Sequence, residues 1–171
     1  MKILAISGSL QEESKNLVLL TIASALMPPG TEMVFFNGLR DLPHFNPDIE
    51  AAGAPDSVRR WRQALADSDA VLIACPEYGF SLPGVVKNAI DWVIGSGDLE
   101  RKVVGVTAAV PAPERGRRGL QALRDTLSAV RAEIVGGEPI PIGPTFESQV
   151  AALVRDLIQA VERRSTTSTD R

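Results

Sequence analysis

The sequence contains one cysteine, one histidine and no long hydrophobic run, and each of these scarcities excludes a class of protein. Cys75 alone cannot form an internal disulfide, and one cysteine with one histidine cannot provide the usual ligand set of a zinc cluster. No apolar run approaches the ~20 residues that a bilayer-spanning helix needs. The chain opens with Met1-Lys2 and continues directly into a strand pattern, without the features of a signal peptide. We therefore expect a cytoplasmic protein with no membrane partner and no metal.

The sequence also lacks an excess of positive charge. It has 18 Lys and Arg residues against 21 Asp and Glu residues, which gives a formal net charge of −3. Nucleic-acid-binding domains usually carry a basic excess, so we expect no nucleic-acid partner. The length of 171 residues and the 44% hydrophobic content suit one globular domain with its own core.

Apolar runs typical of strands alternate with segments of helical periodicity along the chain. The predicted strands are 2–7, 32–36, 70–75, 102–109 and 133–135, and the predicted helices are 14–27, 57–66, 84–94, 119–131 and 146–163. Such alternation predicts a three-layer, doubly wound α/β domain with a five-stranded parallel sheet. We assign this domain to residues 1–164 and predict a disordered Ser/Thr-rich tail over residues 165–171. Residues 37–55 form a long predicted connection, and prolines are expected to break the chain again over 139–144.

The segment Pro76–Trp92 has the most distinctive composition in the chain. It follows an apolar strand that is predicted to be buried on both faces, so it begins at the carboxyl edge of the sheet, where open α/β sheets bind ligands. Tyr78 and Phe80 can offer apolar contact to a ring, and backbone N–H groups after Pro76 can bond its polar edge. The alternative for Tyr78 is an aromatic residue at a subunit interface.

The loop from Gly8 to Asn16 has the composition of an anion site. It joins the first strand to the first helix, where unpaired N–H groups and the helix dipole can face an anion. Ser9, Ser14 and Asn16 add side-chain groups that suit a phosphate monoester. The loop matches neither G-x-G-x-x-G nor the Walker motif. The alternative is a simple turn followed by a helix N-cap.

These two loops are expected to flank one crevice. In a strand order of 2-1-3-4-5, the first and third strands are neighbours at the switch point of the sheet. The first loop would then hold the phosphate, and the second would hold the ring, of one phosphorylated ligand.

The two loops resemble those of the NAD(P)H-dependent FMN reductases, which have a flavodoxin-like fold. That family carries G-S-L-R-x-x-S-x-N after the first strand and P-E-Y-N-x-S-x-P-G-x-L-K-N-A-I-D-W after the third. Here the first motif reads Gly8-Ser9-Leu10-Gln11-Glu12-Glu13-Ser14-Lys15-Asn16. The second matches from Pro76 to Trp92, with substitutions at Gly79 and Val86. Leu42–Asp48 resembles a third family segment, L-P-x-F-N-P-D, and the resemblance as a whole covers about Met1 to Arg131.

The resemblance implies an FMN site, with NADPH or NADH as electron donor and a small acceptor such as a quinone or free flavin. The implied cofactor-binding residues are Ser9, Gln11, Ser14, Lys15 and Asn16 at the phosphate, and Pro76, Glu77, Tyr78, Gly79 and Ser81 at the ring. No catalytic side chain is implied, because the cofactor carries the chemistry. Relatives commonly form homodimers or homotetramers.

Two residues depart from the family motifs at the implied site. Gln11 stands where the family has an arginine that faces the phosphate, and Lys15 is the cation that the loop retains. Gly79 stands where the family has an asparagine.

Other interpretations stay open for several residues. Arg115, Arg117 and Arg118 either bind the 2′-phosphate of NADPH or form a solvated loop or subunit contact. The chain could instead be a non-enzymatic flavodoxin-like electron carrier or partner-binding module. A hydrolase with Ser7 or Ser9 as nucleophile would lack a partner histidine, because the only histidine, His44, lies in the long connection and is expected to be structural or interfacial.

Overall fold

The computed structural model describes residues 1–169 as one five-stranded parallel sheet with helices on both faces. Its elements are β1 (Lys2–Ser7), α1 (Lys15–Ala25), β2 (Glu32–Phe35), a 3₁₀ turn (Leu39–Asp41), α2 (Pro47–Ala51), α3 (Asp56–Ala66), β3 (Ala70–Ala74), α4 (Gly84–Ile94), β4 (Val103–Val110), α5 (Arg117–Ala129), β5 (Glu133–Pro141) and α6 (Phe146–Thr169). The strand order is β2-β1-β3-β4-β5, which confirms the predicted α/β class and topology.

The central strand β3 divides the core into two layers. All of its residues are buried, because helices cover both faces of the sheet. Val71 and Ile73 pack against the layer formed by α3, α4 and α5. Leu72 and Ala74 pack against the layer formed by α1 and α6. This burial from both sides is the reason that the strand reads as a continuous apolar run.

The long connection after β2 contains more regular structure than the sequence pattern predicts. A 3₁₀ turn follows β2, and α2 begins where the side chain of Asn46 accepts a hydrogen bond from the Asp48 N–H. Pro47 occupies the first turn of α2, where its missing N–H costs nothing. Two prolines of this segment therefore stand where helices begin, Pro47 in α2 and Pro55 at the N-cap of α3.

Side chains of α4 hold the connection against the core. Asn88 donates from Nδ2 to the Pro43 carbonyl at 2.9 Å and accepts from the Phe45 N–H at 2.8 Å. The indole Nε1 of Trp92 donates to the same Pro43 carbonyl at 2.7 Å, and its ring meets Phe45 edge-on. Trp92 is itself fully buried, so it packs inside the subunit and not at an interface between subunits.

The last strand is longer than predicted. The pattern indicates a strand over 133–135 and a break over 139–144, whereas β5 continues to Pro141. Pro139 and Pro141 fit because β5 is an edge strand, where a missing N–H leaves no ladder bond broken. Gly136 and Gly137 have positive φ angles beside a register shift in the β4–β5 ladder.

The last helix runs to Thr169, so residues 165–169 of the predicted disordered tail belong to α6. Residues 170 and 171 lie outside the described residues. No helix within residues 1–169 is both long enough and apolar enough to span a bilayer.

Replacing Asn88 by Ala should lower the free energy of unfolding by about 1–2 kcal/mol, because the Phe45 N–H loses its acceptor and the connection loses an anchor. Urea denaturation followed by circular dichroism measures the change. Asn37→Ala is the matched control, since Asn37 is exposed, and its effect should stay within about 0.5 kcal/mol. Equal effects of the two substitutions would contradict the anchoring role.

Cys75 should be unreactive in the folded protein. The thiol is fully buried at the end of β3, and this burial raises its pKa to about 12, so it stays protonated at pH 8. Ellman's reagent should label no thiol in the native protein and one per chain after unfolding in guanidinium chloride. Rapid stoichiometric labelling of the native protein would favour a reactive thiol instead.

Candidate functional site

The loop between β1 and α1 is shaped by its serines. The Ser7 hydroxyl donates to the Ser9 carbonyl at 3.2 Å, and the Ser9 hydroxyl accepts from the Gln11 N–H at 3.2 Å. Ser14 caps α1 as predicted, because its hydroxyl accepts from the Asn16 N–H at 3.2 Å. These local hydrogen bonds fix the backbone of the loop at the carboxyl edge of the sheet.

Backbone N–H groups of this loop remain available to a ligand. Within residues 1–169, the N–H groups of Leu10, Glu12, Glu13, Ser14 and Lys15 have no acceptor. The buried Asn16 accepts from the Ala109 N–H at 2.9 Å, which ties α1 to the end of β4. Its Nδ2 group has no acceptor among the same residues, so it can donate to a ligand. The loop therefore offers several donors to an anion.

The charged side chains of the loop are exposed. Glu12 and Glu13 lie in solvent, as the anion-site interpretation requires, and Lys15 is exposed at the first turn of α1. Arg40 approaches the loop from the 3₁₀ turn after β2, and its Nη2 lies 3.4 Å from the Leu10 carbonyl. Nothing in the sequence pattern indicated that Arg40 lies beside this loop.

A pocket of about 320 Å³ opens on the β2 side of the loop. Its lining residues are Ser7, Ser9, Leu10, Gln11, Glu12, Leu17, Phe36, Asn37, Leu39 and Arg40. Two predicted site residues, Ser9 and Gln11, belong to this lining. The other predicted residues do not line it, because they lie at the start of α1 or in the loop after β3.

The loop after β3 forms a tight turn. Tyr78 and Ser81 pair through two backbone hydrogen bonds, of 2.9 Å and 3.0 Å, and Gly79 and Phe80 between them have φ angles of +55° and +63°. Two central residues with positive φ are the mark of a type I′ turn, and asparagine and glycine tolerate these central positions best. Gly79 therefore preserves the backbone that an asparagine would adopt there.

This turn presents aromatic side chains to solvent. Tyr78 is 54% exposed and Phe80 is 68% exposed. The Arg118 guanidinium lies over the Phe80 ring, 4.5 Å from its centroid. The N–H groups of Glu77, Gly79 and Phe80 have no acceptor in the described part of the chain. The turn thus combines free donors with an aromatic surface.

Two glycines allow the neighbouring segments to approach these loops closely. A Cβ on Gly8 would lie 3.0 Å from Val86 Cγ2 and 3.1 Å from Pro76 Cδ, so the two loops are in contact. A Cβ on Gly119 would lie 2.9 Å from the Glu77 backbone. The Gly119 N–H donates to Glu77 Oε2 at 2.9 Å, which joins α5 to the turn after β3.

The basic cluster before α5 lies next to the same turn. Arg117 forms a 2.9 Å ion pair with Glu138, and both side chains are well exposed. Such an exposed pair contributes little to stability. Arg115 is also exposed. The cluster is therefore positioned beside the site, with Arg118 stacked on the Phe80 ring.

The structure gives no geometric support to a serine nucleophile. The hydroxyls of Ser7 and Ser9 are engaged by the backbone of their own loop. His44 lies exposed in the connection that is docked on α4, and no hydrogen bond in the described residues joins it to either serine.

The predicted site residues thus fall on two adjacent loops at one sheet edge. The structure adds two residues that the sequence analysis did not assign to this arrangement, Arg40 and Gly119. Arg40 comes from the 3₁₀ turn after β2 and Gly119 comes from α5, and only the fold brings them to the loops.

Comparison with known proteins agrees with this architecture. The sequence model of the NADPH-dependent FMN reductase family matches residues 1–143. An NAD(P)H-dependent FMN reductase from Pseudomonas aeruginosa is 40% identical over 119 residues, which are 70% of this chain and 63% of the relative. A quinone reductase from Pseudomonas putida is 43% identical over 84 residues, which are 49% of this chain and 45% of the relative. The chain thus spans less than two thirds of the length of these curated relatives.

Among solved structures, a flavoenzyme NAD(P)H:(acceptor) oxidoreductase from Paracoccus denitrificans superposes with a TM-score of 0.83 and 26% identity. This superposition covers 95% of the present chain and 97% of the other. The family match covers most of the sequence, including both site loops, and the sheet topology and loop positions are those expected for it. On this evidence, the chain belongs to the NADPH-dependent FMN reductase family.

Proposed function

We propose that this protein is an NAD(P)H-dependent oxidoreductase that uses FMN and reduces a small acceptor such as a quinone or free flavin. The observation that carries the proposal is the pair of adjacent loops, one rich in free N–H donors and the other presenting an aromatic turn. Family membership supports the same chemistry.

The first loop fits a phosphate. Its free backbone donors precede α1, where the helix dipole favours an anion, and the Asn16 amide adds a side-chain donor. We assign Ser9, Gln11, Ser14, Lys15 and Asn16 to the phosphate end of FMN. The exposed position of Glu12 and Glu13 keeps their carboxylates in water, where repulsion of a phosphate is screened.

The turn after β3 fits a flat ring with a polar edge. Free N–H groups at Glu77 and Gly79 can bond carbonyl oxygens and ring nitrogens, and Tyr78 offers an exposed aromatic face. We assign Pro76, Glu77, Tyr78, Gly79 and Ser81 to the isoalloxazine end. The Glu77 carboxylate has a supporting role, since Oε2 accepts from the Gly119 N–H and holds α5 beside the turn.

Bound FMN supplies hydride acceptance from NAD(P)H and delivery of the electrons to the acceptor. The chain itself has to bind the phosphate, orient the ring and leave one ring face open to NAD(P)H and to the acceptor. The rigid type I′ turn suits this orienting role because its two hydrogen bonds fix the Tyr78–Ser81 segment before a ligand binds.

The proposal includes a homodimer or homotetramer in the cytoplasm. Exposed apolar side chains support the oligomer. Phe45 and Ile49 are exposed on the connection after β2, and Ile94 is 54% exposed at the end of α4. Apolar side chains of this kind favour burial against another subunit.

The wild-type protein should show saturable quenching of FMN fluorescence on titration. It should then oxidise NADPH or NADH when a benzoquinone is added, with no turnover in the absence of FMN. Riboflavin serves as the matched ligand, and it should bind more weakly because it lacks the phosphate that the first loop holds. Absence of saturable FMN binding would reject the reductase and favour a non-enzymatic partner-binding module.

The double substitution Arg117→Ala with Arg118→Ala should raise the KM for NADPH by roughly fivefold to tenfold, because a 2′-phosphate loses charge-assisted bonds. The KM for NADH should change little, since NADH lacks that phosphate. Steady-state kinetics with both donors measures the difference, and the double substitution Arg60→Ala with Arg155→Ala, at exposed positions of α3 and α6, is the charge-matched control. An unchanged KM for NADPH would leave the cluster as a solvated loop or subunit contact.

A further inference from the structure

We propose that Arg40 supplies the cation that the phosphate loop lacks at Gln11. This inference rests on the proposed FMN site and assigns a binding role to a residue outside both loop motifs. It starts from a mismatch, since the loop has a neutral amide at position 11 where the family motif has an arginine.

The geometry brings Arg40 to the loop from a distant part of the chain. Its Nη2 lies 3.4 Å from the carbonyl oxygen of Leu10, the residue that precedes Gln11, although 30 positions separate Arg40 from Leu10. Arg40 and Gln11 also line the same pocket of about 320 Å³. Ser9, which we assign to the phosphate, lines that pocket too.

The backbone that carries Arg40 is firmly held. Its neighbour Leu39 is 4% exposed and Leu42 is 7% exposed, and both belong to the core under α3 and α4. The Asp41 N–H donates to the Gly38 carbonyl at 3.1 Å and closes the 3₁₀ turn. The backbone that carries the exposed guanidinium is therefore already ordered, which lowers the conformational entropy lost when the side chain binds an anion.

The charge balance of the loop calls for such a cation. Within residues 8–16, Glu12 and Glu13 oppose Lys15, so two negative charges and one positive charge leave a formal charge of −1. Adding Arg40 brings the sum to zero. Among the described residues, Arg40 forms no ion pair within 4 Å, so its charge is not already committed to a carboxylate.

The chemistry of the side chain also suits the role. A guanidinium stays charged at all relevant pH values and can donate two parallel hydrogen bonds to phosphate oxygens. One of its nitrogens can stay near the Leu10 carbonyl while others face the ligand. The alternative is that Arg40 only stabilises the loop through the Leu10 carbonyl. A phosphate-binding role affects the affinity for FMN alone, whereas a loop-stabilising role affects the affinities for FMN and riboflavin equally.

The decisive experiment compares FMN with riboflavin. Fluorescence titrations of the 171-residue chain give the Kd of each ligand for the wild type, Arg40→Ala, Arg40→Lys and the control Arg155→Ala. We expect Arg40→Ala to weaken FMN binding by roughly tenfold, the loss expected for one hydrogen bond to a charged group. Riboflavin affinity should be unchanged, Arg40→Lys should recover part of the loss, and Arg155→Ala should match the wild type.

A rescue variant tests whether the two positions serve the same phosphate. Adding Gln11→Arg to Arg40→Ala should restore FMN affinity to within about threefold of the wild type, because it returns a guanidinium to the loop. The dependence of the FMN Kd on salt should be steeper in the wild type than in Arg40→Ala.

Each contrary outcome has a distinct meaning. Equal FMN affinity of the wild type and Arg40→Ala would overturn the inference and leave the proposed function intact. An equal loss of FMN and riboflavin affinity would also overturn it, because Arg40 would then only shape the loop. A wild-type protein that binds no FMN would overturn the proposed function and this inference together.

Discussion

The parallel pairing of β1 with β3 is the constraint on which the site depends. The register places Ser7 opposite Ala74, and the Gly8 N–H extends the ladder by donating to the Ala74 carbonyl at 2.9 Å. Because both strands end at the same level, the loops that follow them leave the sheet side by side. The proposed phosphate loop and the proposed ring-binding turn could act on one ligand only with this register, since β-strand side chains exchange faces when the register slips by one residue.

Close approach of backbones is the second requirement, and glycine meets it. Gly8 lets the first loop touch Pro76, and Gly119 lets α5 reach Glu77. In both places a Cβ would lie at 3.0 Å or less from a neighbouring atom, so a larger side chain would push the segments apart. Gly79 serves a different purpose, because a glycine adopts the left-handed backbone conformation of the turn without steric strain.

The long motif from Pro76 to Trp92 divides into two parts with different tasks. Its first part forms the turn that presents Tyr78 and free N–H groups. Its second part lies on α4 and has a structural role. Asn88 and Trp92 both donate hydrogen bonds to the Pro43 carbonyl and thereby dock the connection after β2. The same connection carries Arg40, so the helix that follows one site loop also stabilises the segment that reaches the other.

Local patterns in the sequence determined the five strands, the five longer helices, the Ser14 cap and the identity of the two loops, because periodicity, capping and turn formation depend on neighbouring residues. They missed the short helix α2 and ended β5 too early. The strand order followed from the alternation of elements and the loop resemblance. The tertiary structure alone decided that Arg40 lies beside Leu10, that Glu77 holds Gly119, and that Pro139 and Pro141 belong to an edge strand. These contacts join residues or strands that are distant in sequence, and they depend on how the helices pack across the sheet, which no local pattern encodes.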